Sequence, residues 1–262
     1  MKKLIVLATL IAVAGSVQAN TIGWGAFVDG DFANAANWFD GGASTGPAGT
    51  DDLYVDSDYN PFGAPITTSV MPKLSSLSDN AFLFIVSPFY DASVTITTGG
   101  DLQVALIARL GHGALMNGST GTLNMDGGNM YSQVFEVGYN GNDGTNTLNA
   151  GNGVVNMSGD AVVQTGDLRF GQEMAGYGFD AAANATGQIN MTGDAMVIVN
   201  GDQTAQSWVG NGLIAATGAG ESISVFYNGA ETEYTVIPEP ATFGLVRILG
   251  GAMLWIRKRS KS

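Results

Sequence analysis

The chain contains no cysteine, one histidine (His112) and few cations. The first absence excludes disulfides and thiolate chemistry, and it suits an exported protein that does without covalent staples. A single imidazole cannot build a histidine-rich metal site or pair with a cysteine nucleophile. Lysine and arginine together number 10 in 262 residues, and seven of them lie in the two termini. Between Asn20 and Ile237 only Lys73, Arg109 and Arg169 stand against 22 Asp and Glu, so this middle carries −19. A body of that charge repels phosphate backbones and anionic lipid, which argues against a nucleic-acid partner. Charged residues make up only 13% of the chain, whereas 45% are hydrophobic, so there is material for a core.

Proline is absent from Phe89 to Ile237, as expected where strands pair on both edges. That same stretch repeats. Residues 121–130 read GTLNMDGGNM, 153–162 GVVNMSGDAV and 187–196 GQINMTGDAM, with starts 32 and 34 residues apart. Each is followed by a second apolar patch ending in glycine: FEVG at 135–138, LRFG at 168–171 and SWVG at 207–210. A fainter copy precedes them (VTITTGGDLQV, 94–104, then ARLG, 108–111), and SISVFYNGA at 222–230 reads as a last one. Leu123/Met125, Val155/Met157 and Ile189/Met191 alternate with Asn124, Asn156 and Asn190, which is the period of a strand. Strands recurring at this spacing without helices between them predict an all-β, right-handed parallel β-helix or solenoid. Equivalent Asn residues would then form a ladder of side-chain amides. An antiparallel sandwich is the alternative, because Gly-rich turns also suit hairpins.

The termini read as addresses. MKKLIVLATLIAVAGSVQAN has a basic start, an apolar stretch from Leu4 to Ala14, and Val17 and Ala19 at the −3 and −1 positions of a signal-peptide cleavage site. The chain closes with Pro238-Glu239-Pro240, an apolar run from Ala241 to Ile256, and Arg257-Lys258-Arg259. At about 1.5 Å per residue the run reaches roughly 24 Å as a helix, a little short of a ~30 Å hydrocarbon core. The cations after it would stay on the cytoplasmic side. This three-part tail resembles the PEP-CTERM sorting signal of Gram-negative bacteria. The resemblance covers about 25 residues and implies a C-terminal transmembrane helix, transient anchoring in the inner membrane, and an exosortase-type processing enzyme as partner. It implies an exported protein at the cell surface or in the extracellular matrix, associated with exopolysaccharide. Arg247 departs from the pattern, since a charge in mid-span costs on the order of 3 kcal/mol. The repeats over 94–230 are similar to autotransporter-type passenger repeats.

Four segments follow from this: a signal peptide (1–19), an N-terminal β cap (20–92), β-solenoid repeats (93–236) and the sorting tail (237–262). The cap segment holds Trp24, Phe27, Phe32 and Trp38 with five of the seven prolines. It resembles the opening segment of such surface solenoids, whose first coil has an edge to cover. Trp24 and Trp38 are core residues in one reading and a sugar platform in the other. The second supports an alternative function, a carbohydrate-binding module or a weak polysaccharide-acting enzyme on a β-helix scaffold.

Catalytic signatures do not stand out. No G-x-S-x-G, P-loop or H-E-x-x-H stretch occurs. Arg109 and Arg169 share one repeat position, but two arginines are few for an enzyme cleaving acidic polysaccharides, so a non-enzymatic role is expected. In GYNGNDGTNTLN (138–149), Asn140, Asn142 and Asp143 are oxygen donors of the kind that bind calcium. The same residues also populate turns because they tolerate left-handed backbone.

Overall fold

The computed structural model describes residues 21–24, 37–40, 43–44, 52–55, 73–74, 78–87, 91–111, 119–139, 151–171 and 186–238. These form strands and turns, with no α-helix among the described residues. The strands are β1 (Thr21–Trp24), β2 (Trp38–Asp40), β3 (Ala43–Ser44), β4 (Asp52–Val55), β5 (Lys73–Leu74) and β6 (Ser78–Val86). There follow β7 (Ala92–Thr97), β8 (Asp101–Leu110), β9 (Thr120–Asp126), β10 (Asn129–Val137), β11 (Asn152–Ser158) and β12 (Val162–Phe170). The last five are β13 (Thr186–Met191), β14 (Met196–Asn200), β15 (Ile214–Ala216), β16 (Glu221–Tyr227) and β17 (Glu231–Pro238).

Successive strands from β5 to β15 alternate between two sheets. One is ordered β16-β17-β14-β12-β10-β8-β6-β4-β1-β2-β3 and the other β15-β13-β11-β9-β7-β5. Each repeat supplies one strand to each sheet and stacks parallel on its predecessor, so Leu123, Val155 and Ile189 are register partners. Parallel pairing is the expected ladder, and the sandwich alternative fails over the repeats. Strand alternation sends Leu123, Met125, Val155, Met157, Ile189 and Met191 inward, where all are buried. Sheet one meets them with Leu102, Phe135, Val137, Leu168 and Phe170. β8 carries one extra residue between Val104 and Ile107, a bulge that restores Ala108 and Leu110 to the interior.

The two corners of each coil differ. Sheet-two strands reach sheet one through 98–100, 127–128, 159–161 and 192–195. The return takes 56–72, 87–91, 111–119, 138–151, 171–185 and 201–213. Glycine serves this second corner twice over. Gly111 and Gly138 adopt positive φ (67° and 73°) and donate their N–H to Val86 and Leu110 of the preceding coil. Against them lie Gly121, Gly153 and Gly187, register partners at the start of the sheet-two strands. A methyl on Gly153 would strike the Gly138 nitrogen, and one on Gly187 the Val137 carbonyl. The glycine columns therefore interlock, leaving no room for a side chain. Ser87 holds the Gly111 position one coil earlier, at φ 63° and with a buried hydroxyl that has no hydrogen-bond partner among the described residues.

Parallel stacking begins upstream of residue 93: β4 pairs with β6, β1 with β4, and β5 with β7. Only β1–β2–β3 turn antiparallel, at the far end of sheet one.

Two expectations are corrected at the other end. SWVG (207–210) is a turn, not a strand, held by Asn211 N–H on Ser207 O and by Leu213 N–H on Trp208 O. SISVFYNGA is not a further coil. Its residues 222–227 lie in β16, which pairs antiparallel with β17, and β17 pairs antiparallel with β14. The hairpin occupies the edge of β14 where a further repeat strand would lie, and Trp208 plugs the core. Its ring is 3% exposed and packs 5.7 Å from Phe170 and 5.8 Å from Tyr234, centroid to centroid. β17 also carries Ile237 and Pro238 in register with Ser222 and Glu221, so the sheet extends past residue 236. Among the described residues no helix is long and apolar enough to cross a membrane, and Ala241–Ile256 lie outside them.

Candidate functional site

Two side-chain ladders run across the outer faces of the stack. On sheet one, register pairing aligns Arg109, Glu136 and Arg169 on three adjacent strands. Each alternates with buried neighbours, Ala108/Leu110, Phe135/Val137 and Leu168/Phe170, so all three face outward. Glu136 is nonetheless 2% exposed. Its carboxylate accepts from Arg109 Nε at 2.6 Å and from Arg169 Nη1 at 3.3 Å. Arg169 also pairs with Asp167 at 2.7 Å, and the Arg109 guanidinium stacks 3.6 Å above the Tyr139 ring. Burial pushes the Tyr139 phenol above its ordinary 10.0, opposed by the Arg109 cation and reinforced by Glu136.

This cluster holds coils in register. Both arginines bind carboxylates rather than facing solvent, which is the opposite of what a site for acidic polysaccharide would need. Removing the central charge should therefore harm stability. Glu136→Gln is expected to cost about 2–3 kcal/mol, less than the 3–5 typical of a fully buried pair because both arginines retain some water. The urea midpoint measures it, and an unchanged midpoint would show that the ladder contributes nothing.

On sheet two, Asn156 Nδ2 donates to Asn124 Oδ1 at 2.9 Å and Asn190 Nδ2 to Asn156 Oδ1 at 3.0 Å. The amide ladder expected from the repeats is present. Beside it runs a column of Asp126, Ser158 and Thr192, with Ser158 Oγ on Asp126 Oδ1 at 3.1 Å. The two columns line a shallow depression of about 240 Å³. It offers amides, hydroxyls and one carboxylate, which can hydrogen-bond a polar surface but hold no activated nucleophile.

Trp38 is fully buried within the hydrophobic core, which fits the core reading rather than the sugar platform. β1 and β2 pair Trp24 with Trp38 across the antiparallel end of sheet one. Pro238, the first residue of the sorting motif expected from the sequence, ends β17 and is exposed. Glu239, Pro240, Arg257, Lys258 and Arg259 lie outside the described residues, as do His112 and the calcium candidates Asn140, Asn142 and Asp143. Among the described residues no cluster of three His, Cys, Asp or Glu could hold a metal ion.

Sequence reasoning missed Glu136. The signal was available: ARLG, FEVG and LRFG place Arg109, Glu136 and Arg169 at one repeat position with alternating charge. No protein-family model, curated protein or solved structure matches the chain.

Proposed function

We propose that this chain is an exported structural protein of the cell surface or extracellular matrix, delivered through its C-terminal tail. The observation that carries the reading is the disposition of its polar side chains. The amides of the Asn ladder bond to one another, and the two solenoid arginines bind Glu136 and Asp167. These groups stiffen a stack rather than assemble a reaction centre. The winding is right-handed in this reading, the hand favoured for parallel crossovers. The apolar run Ala241–Ile256 forms a short membrane helix with the cations after it on the cytoplasmic side, and an exosortase-type enzyme removes the tail. Exopolysaccharide is the matrix partner.

The experiment is mass spectrometry of the mature chain from the exporting cell, together with localisation of a chain ended at Ile237. Sorting predicts a start at Asn20, an end near Pro238–Pro240, and mislocalisation of the shortened chain. An intact Ser262, with the shortened chain distributed like the parent, would overturn it.

A further inference from the structure

We propose that β16 is a self-association edge, through which two copies of this chain join antiparallel into one continuous sheet. Among the described residues β16 is the terminal strand of the eleven-stranded sheet, paired with β17 on one side only. It runs seven residues, ESISVFY, with no proline, no glycine and one charge, the composition of a strand that templates another. Five large apolar side chains are exposed among the described residues, and four belong to this hairpin: Val225, Phe226, Tyr227 and Ile237. Phe226 is 59% exposed.

The occupant follows from the strand itself. Antiparallel pairing of β16 with its copy, centred on Ser224, engages all seven residues. Glu221 then faces Tyr227 of the second copy, and the two Glu221 carboxylates lie roughly 20 Å apart along the strand. Parallel pairing in register would instead set carboxylate on carboxylate, which is unfavourable. The same register places Ile223 opposite Val225 on one face of the sheet. On the other it places Phe226 of the copy opposite Ser222. Ser222 is the register partner of Ile237 on β17. The small serine leaves an opening through which the copy's Phe226 reaches Ile237, so the pairing covers all four exposed apolar side chains. Both bodies are strongly acidic, so the contact tightens as salt screens their repulsion.

The test is sedimentation of the full chain in solution, with two variants. The parent should show a dimer mass that gains population from 0.05 to 0.5 M NaCl. Phe226→Lys, at an exposed position, should keep the parent's circular dichroism and weaken dimerisation at least tenfold. Because the chain has no cysteine of its own, Ser224→Cys reports register directly. Mild copper–phenanthroline oxidation should join two Ser224→Cys chains through a symmetric disulfide, while Ser222→Cys and Phe226→Cys should cross-link far less. A parent that stays monomeric overturns the proposal. So does association that Phe226→Lys leaves unchanged, which would assign it to the tail. Equal cross-linking at positions 222, 224 and 226 overturns the register. A monomer whose β16 amides resist hydrogen exchange would mean that another part of the same chain covers the edge.

Discussion

Gly138→Ala is expected to leave no folded protein at ordinary temperature, an effect that Gly111→Ala should share because it combines the same two penalties. Two penalties act together. At φ 73° an L-residue with a Cβ loses about 1–2 kcal/mol against glycine. The added methyl would also run into the Thr186 carbonyl, a backbone atom that cannot rotate away. Relief requires two coils to separate where the Gly138 N–H binds Leu110 O at 2.9 Å. The total should exceed about 4 kcal/mol, in the range reserved for gross steric defects. Two other glycines separate the terms. Gly212 has the same φ of 73°, but a methyl there would meet nothing within 4 Å, so Gly212→Ala should cost only about 1–2 kcal/mol. Gly187 lacks the positive φ but would strike the Val137 carbonyl, so its cost is steric alone. Thermal unfolding followed by circular dichroism ranks the three. If Gly138→Ala unfolds no earlier than Gly212→Ala, the interlocked corner is not a constraint.

Trp208→Ala should cost about 3–5 kcal/mol, as removal of a buried aromatic commonly does. Trp208 closes the end of the core, edge-on to Phe170 and tilted against Tyr234. Truncation opens a cavity directly beneath the terminal hairpin and lets water reach Phe170 and Tyr234. In a stack whose coils contact mainly their neighbours, the damage should begin locally. Hydrogen exchange should therefore accelerate first in β13, β15 and β17, while β8 and β10 keep their protection. Trp208→Phe should recover part of the loss. Uniform acceleration across all strands would show that the stack unfolds as one unit and that Trp208 is not an end plug.

The middle of the stack is legible in the sequence because a repeat states its rule several times. Leu123, Val155 and Ile189, each followed by asparagine, recur at 32 and 34 residues, and a parallel stack is the arrangement that buries the first set while aligning the second. The ends are not legible, for a reason built into repeats. SWVG and SISVFYNGA have the composition of the motif, yet among the described residues no further coil stacks on them. What a terminal segment does depends on that missing neighbour, and local pattern is silent about it. Trp208 therefore turns inward and 221–227 folds back as a hairpin arm. Trp38 is ambiguous along similar lines: an aromatic in a capping segment can face either way, and burial within the core decides it. Glu136 escapes notice because a charge inside an apolar patch makes sense only beside the arginines above and below it.

The unequal corners have a consequence for how such a chain can grow. Between sheet two and sheet one the connection never exceeds 192–195, and at its tightest it is the pair Gly127-Gly128. An insertion there would throw the next strand out of register and turn its apolar residues outward. The opposite corner already ranges from 87–91 to 56–72. Lengthening it costs little, since doubling a loop adds only about 0.6 kcal/mol of closure entropy. Novelty in this molecule is thus confined to one seam. Along it, segments can be lengthened, exchanged or grafted coil by coil, while the rest of each turn remains a fixed template.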